Sequence, residues 1–134
     1  KVQIVCRAYI TNTEGKLLLT KKIGSTFWSL VGGKLDDADA SIQDCLKREM
    51  LEELNVEIEI GKVLHALELS KEDVRYVEII WDAKLKSDLK TNKENIQQIS
   101  NGELEDVQWF DKNMINEVDF KPAFLKEFYL NNIL

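Results

Sequence analysis

Residues 32–56 read GGKLDDADASIQDCLKREMLEELNV, and this stretch decides which fold the chain adopts. Its second half places apolar residues at helical spacing, at Ile42, Cys45, Leu46, Met50 and Leu54. The spacing predicts an amphipathic helix over residues 41–54. Ser41 or Asp39 is expected to cap its N-terminus, and Asn55 suits a left-handed stop at its C-terminus.

Three glutamates near the end of this helix lie in costly positions. On a helical wheel Glu49 and Glu53 fall within or beside the apolar arc, and Glu52 flanks them. Like charges one turn apart repel, and a carboxylate that faces a core is rarely tolerated unless it is paired or binds a metal. A divalent cation removes the conflict, because clustered carboxylate oxygens are the ligands that Mg²⁺ or Mn²⁺ prefers. The alternative is a solvated acidic face with Lys47 and Arg48 as partners.

The composition is that of an ordinary globular chain and predicts one domain over residues 1–134. There are 18 basic and 24 acidic residues, and the net charge of −6 makes the chain a poor general binder of long nucleic acids. An anionic ligand would therefore need a cation to attract it. No apolar run approaches the length of a membrane span and no export leader begins at Lys1, so the expected location is cytoplasmic, with Cys6 and Cys45 as buried thiols.

The remaining pattern predicts a set of strands around the helix. A hairpin is expected from residues 2–10 and 16–22, and a short strand over 27–31 enters the double glycine. Residues 56–69 and 74–85 alternate like two long strands, whereas 86–103 indicate a long polar loop. A last strand at 107–110 and a helix at 121–131, with Pro122 near its first turn, complete an α+β or α/β sandwich.

The stretch that contains the helix resembles the Nudix box. That signature is a glycine, a glutamate after five residues, and after seven more Arg-Glu-apolar-any-Glu-Glu-any-Gly-apolar. Its second half matches this chain at Arg48, Glu49, Met50, Glu52, Glu53 and Val56. The flanks agree as well, since a strand with Trp28 enters the double glycine and a strand with Trp109 and Phe110 follows the long loop.

The chain departs from the signature at three places. The early acidic residue is Asp39 when counted forward from Gly33, whereas counting back from Arg48 reaches Ala40. The loop thus carries one extra residue, and the usual glutamate is either shortened to Asp39 or absent. Asn55 replaces the closing glycine, and Val31 stands where such proteins often have proline.

The resemblance implies an α/β/α sandwich with a mixed central sheet, a catalytic loop-helix and a C-terminal helix. It also implies Mg²⁺-dependent hydrolysis, with Mn²⁺ as a substitute, of a pyrophosphate bond in a nucleoside triphosphate, nucleotide sugar or dinucleotide. The partner is then a small nucleotide-type molecule and neither a membrane nor a long nucleic acid, and an edge strand or the long loop could form a homodimer. Two alternatives are a catalytically impaired module that senses a nucleotide metabolite, motivated by the altered loop, and an acidic structural domain without metal.

The resemblance also assigns catalytic residues. Glu49, Glu52 and Glu53 would be the metal ligands, and Arg48 would orient a carboxylate by a bidentate ion pair. The metals would neutralise the diphosphate, bind the attacking water and lower its pKa. A further carboxylate from the long loop completes such a site or acts as the base, and its candidates are Glu103 and Glu105, with Glu94 behind them.

Other residues are candidates for substrate binding. Gly32 and Gly33 suit close backbone approach unless they form a plain turn, and Lys34 could reach a phosphate. Arg7 on the first strand faces either the ligand cleft or solvent. Three aromatic residues stack on a base or belong to the core, namely Trp28, Tyr76 and Trp81. His65, the only histidine, lies mid-strand and is expected to be structural.

Overall fold

The computed structural model describes residues 1–131, which contain eight strands and four helices. The strands are β1 (Val2–Ile10), β2 (Leu17–Lys22), β3 (Trp28–Ser29), β4 (Val31–Lys34), β5 (Ile58–Lys71), β6 (Val74–Leu85), β7 (Leu104–Phe110) and β8 (Phe120–Lys121). The helices are α1 (Ile42–Leu54), α2 (Ile96–Ile99), α3 (Lys112–Asn116) and α4 (Phe124–Leu130). Residues 132–134, which the predicted domain includes, lie outside the described part.

The strands form two four-stranded sheets. The first has the order β4-β1-β6-β5 and is mixed, because β1 and β6 run parallel while its other pairs are antiparallel. The second has the order β7-β2-β3-β8, with β3 and β8 parallel. The expected mixed sheet is thus present, and the strands of the α/β fold divide between two sheets.

Apolar side chains fill a core on each face of the sheets. Cys6 and Ala8 of β1 belong to a cluster with the buried residues of α1, whereas Tyr9 belongs to a second cluster with α3 and α4. Successive residues of a strand point to opposite faces, so one strand supplies both cores. The expected sandwich of helices, strands and helices follows from this division.

Helix α1 begins and ends as its sequence predicts. The hydroxyl oxygen of Ser41 accepts a hydrogen bond from the backbone N–H of Asp44 at 3.1 Å, which satisfies a free donor of the first turn. Asn55 closes the helix in the left-handed conformation at φ 54°, and its N–H donates to the carbonyl oxygen of Leu51. Cys6 and Cys45 are buried free thiols, as expected, and their Sγ atoms lie 2.7 Å apart where β1 meets α1.

The predicted hairpin of β1 and β2 is wrong. The two strands belong to different sheets and share a single isolated bridge, between Thr11 and Leu17, within the described residues. The turn between them forms as expected, with the Asn12 side chain accepting from the N–H groups of Glu14 and Lys16. Turn chemistry is local, whereas the partner of a strand depends on the rest of the sheet.

The predicted strand over residues 27–31 is two strands. The chain leaves the second sheet after Ser29, passes through the buried Leu30 and enters the first sheet at Val31. Residues 58–71 and 74–85 do form a hairpin, and the first strand begins and ends two residues later than expected. The turn consists of only two residues, Glu72 and Asp73, which both adopt positive φ. Strand β5 is an edge of the first sheet, and a homodimer through it stays a prediction.

The chain after residue 86 is more structured than the sequence predicts. The polar loop contains the short helix α2, whose Ile96 is fully buried. The expected helix over 121–131 begins only at Phe124, because Lys121 belongs to β8 and pairs with Ser29 of β3. A further short helix, α3, precedes β8. None of the helices within residues 1–131 combines the length and apolar character that a membrane span requires.

Candidate active site

A cleft of about 870 Å³ opens beside the C-terminal half of α1. Its floor is one face of the first sheet, where every second residue of β1 and β6 points into it. Six of its lining residues are acidic, namely Asp36, Glu49, Glu52, Glu53, Glu78 and Glu103. Five are basic, namely Arg7, Lys22, Lys34, Arg48 and Lys71. The chain thus gathers cations and carboxylates in one place although its net charge is negative.

Glu53 lies deepest among these carboxylates. Only 4% of the residue is exposed, and it belongs to the buried face of α1, as the helical wheel predicts. Burial, and then the charge of Glu49, raises the pKa of Glu53 to about 8. Arg7 acts in the opposite direction, whereas Glu103 adds to the repulsion. The helix therefore brings acidic groups together without enough protein cations to balance them.

Arg48 holds the outer side of the acidic helix. Its Nε and Nη2 donate to the two oxygens of Asp39 at 2.8 and 2.9 Å, which is a bidentate ion pair. Its Nη1 donates to Glu49 at 3.0 Å and to Glu52 at 3.2 Å. The guanidinium lowers the pKa of Asp39 well below its usual range. The acidic position of the signature is therefore filled by Asp39, which reaches Arg48, and does not fall on Ala40.

The two glycines are sites of close approach. A Cβ atom on Gly32 would lie 2.9 Å from the Cα of Arg7 and closer still to the carbonyl oxygen of Cys6. On Gly33 it would lie 2.6 Å from Oε1 of Glu49 and would overlap the rest of that carboxylate. Strand β4 can thus pair with β1 and admit the Glu49 side chain because neither residue has a side chain of its own.

The carboxylates of α1 fit a divalent cation in their chemistry. In the described part of the chain no three acidic, histidine or cysteine side chains are grouped closely enough to hold a metal ion, and Arg48 pairs with both Glu49 and Glu52. Burial also raises the pKa of Glu49, and Glu52 adds to that rise. A hard cation between Glu49 and Glu53 would replace their repulsion by favourable contacts, because carboxylate oxygens are its preferred ligands. The residues present therefore fit Mg²⁺ or Mn²⁺.

The structure separates the three loop carboxylates that the sequence left open. Glu103 lines the cleft and its charge acts on both Glu49 and Glu53. Glu105 lies outside the lining and pairs with Lys21 at 3.2 Å, and Glu94 is exposed in a turn beside Asn92. Of the three, Glu103 is placed to act on a group in the cleft.

The aromatic candidates also divide. Tyr76 lines the cleft, with the ammonium of Lys34 at 5.9 Å from its ring centre. Trp28 does not line it and packs edge-on against Phe110 with ring centres 4.8 Å apart. Its neighbour Phe27, in the bend that precedes β3, lines the cleft instead. Trp81 packs against the core beneath α1, and His65 packs against α4 through Phe124, so neither faces the cleft.

Several lining residues were missed from the sequence. They are Gln3, Val5, Lys22, Phe27, Leu35, Asp36, Leu69, Lys71 and Glu78. Glu78 alone carried a readable signal, because it shares the strand face of Tyr76 and is a charged residue inside an alternating apolar strand. Leu35 and Asp36 lie in the loop that follows the glycines, and the other six reach the cleft from distant parts of the chain.

The fold and the carboxylate-lined cleft define an α/β/α sandwich protein whose acidic helix borders the cleft. The model of the NUDIX domain family matches residues 2–130, and the chain therefore belongs to that family. The prediction of a Nudix-type hydrolase is confirmed at the level of the family. No curated protein shows a significant match to the chain.

Solved structures share this fold at low sequence identity. The MutT NUDIX hydrolase from Burkholderia pseudomallei is 18% identical with a TM-score of 0.73, over 100% of this chain and 99% of that one. The MutT protein from Methanosarcina mazei Go1 is 22% identical with a TM-score of 0.72, over 97% and 91%. An ADP-ribose pyrophosphatase from Streptococcus suis is 22% identical with a TM-score of 0.66, over 97% and 90%. At such identities the likeness shows the fold alone.

Proposed function

We propose that the protein hydrolyses a pyrophosphate bond in a nucleoside diphosphate derivative with Mg²⁺, or Mn²⁺ in its place. The observation that carries the proposal is that Glu49, Glu103 and the buried Glu53 line one cleft, which cations also line. A buried carboxylate beside a second carboxylate favours a bound divalent cation, because the cation offsets their repulsion. The cation in turn accounts for binding of an anionic ligand by a protein of net charge −6.

Each residue of the helix has a distinct part in this proposal. Glu49, Glu52 and Glu53 hold the cation, and Arg48 fixes the side chain of Glu49 while Asp39 fixes Arg48. When bound, Mg²⁺ neutralises charge on the diphosphate and lowers the pKa of the attacking water. Glu103 accepts the proton of that water, since it is the loop carboxylate that lines the cleft.

The substrate side of the cleft supplies positive charge and an aromatic ring. Lys34 lies at the cleft beside the glycines, Arg7 lies on the floor, and both contact phosphate oxygens in this proposal. Tyr76 offers its ring to the base, as base–aromatic stacking requires. The small-molecule partner is therefore a nucleotide-type compound, and the predicted cytoplasmic location suits such a substrate.

The impaired sensor module stays an alternative outcome of the test. The extra loop residue motivated it, but Asp39 still makes the bidentate ion pair with Arg48. The altered loop therefore keeps its acidic partner for the arginine, which favours the enzyme.

The test measures the release of phosphate or pyrophosphate from a panel of nucleoside triphosphates, nucleotide sugars and dinucleotides in the presence of Mg²⁺ or Mn²⁺. We expect turnover of at least one class and its loss, by about a hundredfold or more, in Glu53→Gln. The matched control is Glu117→Gln, which makes the same change at the exposed end of α3. Nucleotide binding without turnover would favour the sensor module, and no metal-dependent binding would favour the structural domain.

A further inference from the structure

Glu78 is a buried carboxylate of the cleft that the proposed reaction does not use. Its side chain is 11% exposed, and its Oε1 accepts a hydrogen bond from Nε of Arg7 at 3.3 Å. The Arg7 side chain is itself only 18% exposed. A carboxylate and a guanidinium this far from water need each other, because either one alone would be an unpaired buried charge.

Arg7 and Arg48 differ in how their donors are used. Arg48 engages all three of its nitrogens with Asp39, Glu49, Glu52 and the carbonyl oxygen of Lys34. Arg7 donates from Nε to Glu78 and from Nη1 to the carbonyl oxygen of Leu30 at 3.2 Å. Its Nη2 makes no hydrogen bond to any residue that the structure describes. Since a guanidinium has five N–H donors, three of those of Arg7 stay available.

The available donors belong to a residue on the floor of the cleft. Arg7 lies between Gly32 of β4 and Ile80 of β6 in the first sheet, so the neighbour on the β4 side has no side chain to cover it. Glu53 and Gly33 line the same cleft. Because Nε and one N–H of Nη1 are already bonded, the free N–H donors are on Nη1 and Nη2. Two such parallel donors match the oxygens of a phosphate group in the cleft.

We propose that Arg7 binds non-bridging oxygens of the substrate's diphosphate and that Glu78 is the positioning residue that aims it. This inference rests on the proposed function, which places a diphosphate in the cleft. The carbonyl oxygen of Leu30 supplies the second fixed contact, at the point where the chain crosses between the sheets. Glu78 touches neither substrate nor metal and acts through Arg7.

The experiment measures binding of inorganic pyrophosphate with Mg²⁺ by calorimetry, which needs no turnover. We expect Arg7→Ala and Glu78→Ala each to weaken binding by about ten- to a hundredfold, the range for a lost hydrogen bond to a charged group. The double variant should bind no more weakly than Arg7→Ala alone, because Glu78 acts through Arg7. The control is Glu68→Ala, which removes the exposed partner of Arg75 on the same hairpin and should leave binding unchanged.

Two further variants separate positioning from folding. Glu78→Gln keeps an oxygen that can accept from Nε of Arg7, so its pyrophosphate affinity should lie within a few-fold of the wild type. Arg7→Lys keeps the charge but loses the paired N–H donors of the guanidinium, so it should bind about as weakly as Arg7→Ala. With a turned-over substrate, Glu78→Ala should raise KM more than it lowers kcat. A merely structural role would lower the melting temperature of Glu78→Ala without a specific change in pyrophosphate affinity.

Three results would overturn the inference: no pyrophosphate binding by the wild type, wild-type affinity in Glu78→Ala, or additive losses in the double variant. A wild-type protein that turns over no nucleotide yet binds pyrophosphate with the expected pattern would remove the proposed hydrolysis and support this inference.

Discussion

The cleft has two walls that are built in different ways. The helical wall consists of residues 32–36 and 48–53, and the hairpin wall consists of Leu69, Lys71, Tyr76 and Glu78 from β5 and β6. In the helical wall the decisive ion pair joins residues nine apart in sequence, Asp39 and Arg48. Glu78 of the hairpin wall instead pairs with Arg7 of the floor, 71 residues away in sequence. The proposed metal ligands are thus local in sequence, whereas Arg7, Tyr76 and Glu103 reach the cleft from distant parts of the chain.

The strongest test of the helical wall is its response to pH without metal. The folded protein keeps the proton of Glu53 up to a pH of about 8, because burial raises its pKa, whereas the unfolded chain releases it near the ordinary value of 4.5. The unfolded state then binds fewer protons, so the free energy of unfolding should fall as the pH rises through that interval, by on the order of a few kcal/mol. Below a pH of about 4.5 Glu53 is protonated in both states, so it adds no pH dependence to the free energy of unfolding.

Urea unfolding in EDTA at pH 5 and pH 8 measures this loss. Glu53→Gln should lose much less stability than the wild type over that range, and Mg²⁺ should restore the wild type. Glu52→Gln is the matched control, since that side chain is 57% exposed. Burial also raises the pKa of Glu49, so Glu49 adds the same loss of stability with rising pH to the wild type and to Glu53→Gln. Parallel curves for the wild type and Glu53→Gln would show that Glu53 is ionised in the folded protein.

The next test asks whether a group outside the helical wall takes part in the chemistry. Glu103→Gln should lower the rate by about a hundredfold or more, the usual contribution of a general base. Glu105→Gln, which changes the carboxylate paired with Lys21 outside the cleft, should stay within about twofold. The measurement is kcat for the best substrate of the panel. A larger loss in Glu105→Gln than in Glu103→Gln would reverse the assignment of the base.

A third test concerns the support of the helical wall. Asp39→Asn keeps the shape of the side chain but removes the charge that the guanidinium of Arg48 faces, so Arg48 is free to pair more strongly with Glu49 and Glu52. Because outer partners of metal ligands tune metal affinity, we expect Mg²⁺ affinity to fall by about ten- to a hundredfold. Titration calorimetry with Mg²⁺ measures this, with Asp37→Asn, an exposed residue of the same loop, as the control. Equal affinities in the two variants would separate Asp39 from the metal site.

The smallest effect is expected in the hairpin wall. Tyr76→Ala should raise KM for a nucleotide by about tenfold through lost stacking, with little change in kcat, and Tyr76→Phe should restore the affinity. Trp28→Phe should not raise KM, because Trp28 packs on Phe110 away from the cleft. Steady-state kinetics over a range of nucleotide concentrations distinguishes these cases. A fall in kcat without a rise in KM would place Tyr76 among the groups that support the helical wall.

Features that depend on a few adjacent residues agree with the sequence predictions, whereas features that depend on sheet membership do not. The caps of α1 at Ser41 and Asn55 were correct because each is set by a few adjacent residues. The β1–β2 hairpin was wrong, and the short strand before the glycines was two strands, because both depend on which sheet the chain joins. Lys121 was placed in a helix although it pairs in β8, since a two-residue strand leaves no periodic pattern.

The sequence by itself determined the helical wall: a capped helix whose glutamates share its buried face, following a double glycine that leaves room for Glu49. A helical period of about 3.6 residues and the absence of a Cβ are local properties, so no distant contact is needed to read them. Tertiary structure alone decided that Phe27 and not Trp28 faces the cleft, that Glu103 and not Glu105 reaches it, and that Glu78 holds Arg7. The pairing of Glu78 with Arg7 depends on strand register, where a shift of one residue turns every side chain to the opposite face. Phe27 and Glu103 lie in bends that precede β3 and β7, so their positions depend on where the second sheet brings those bends.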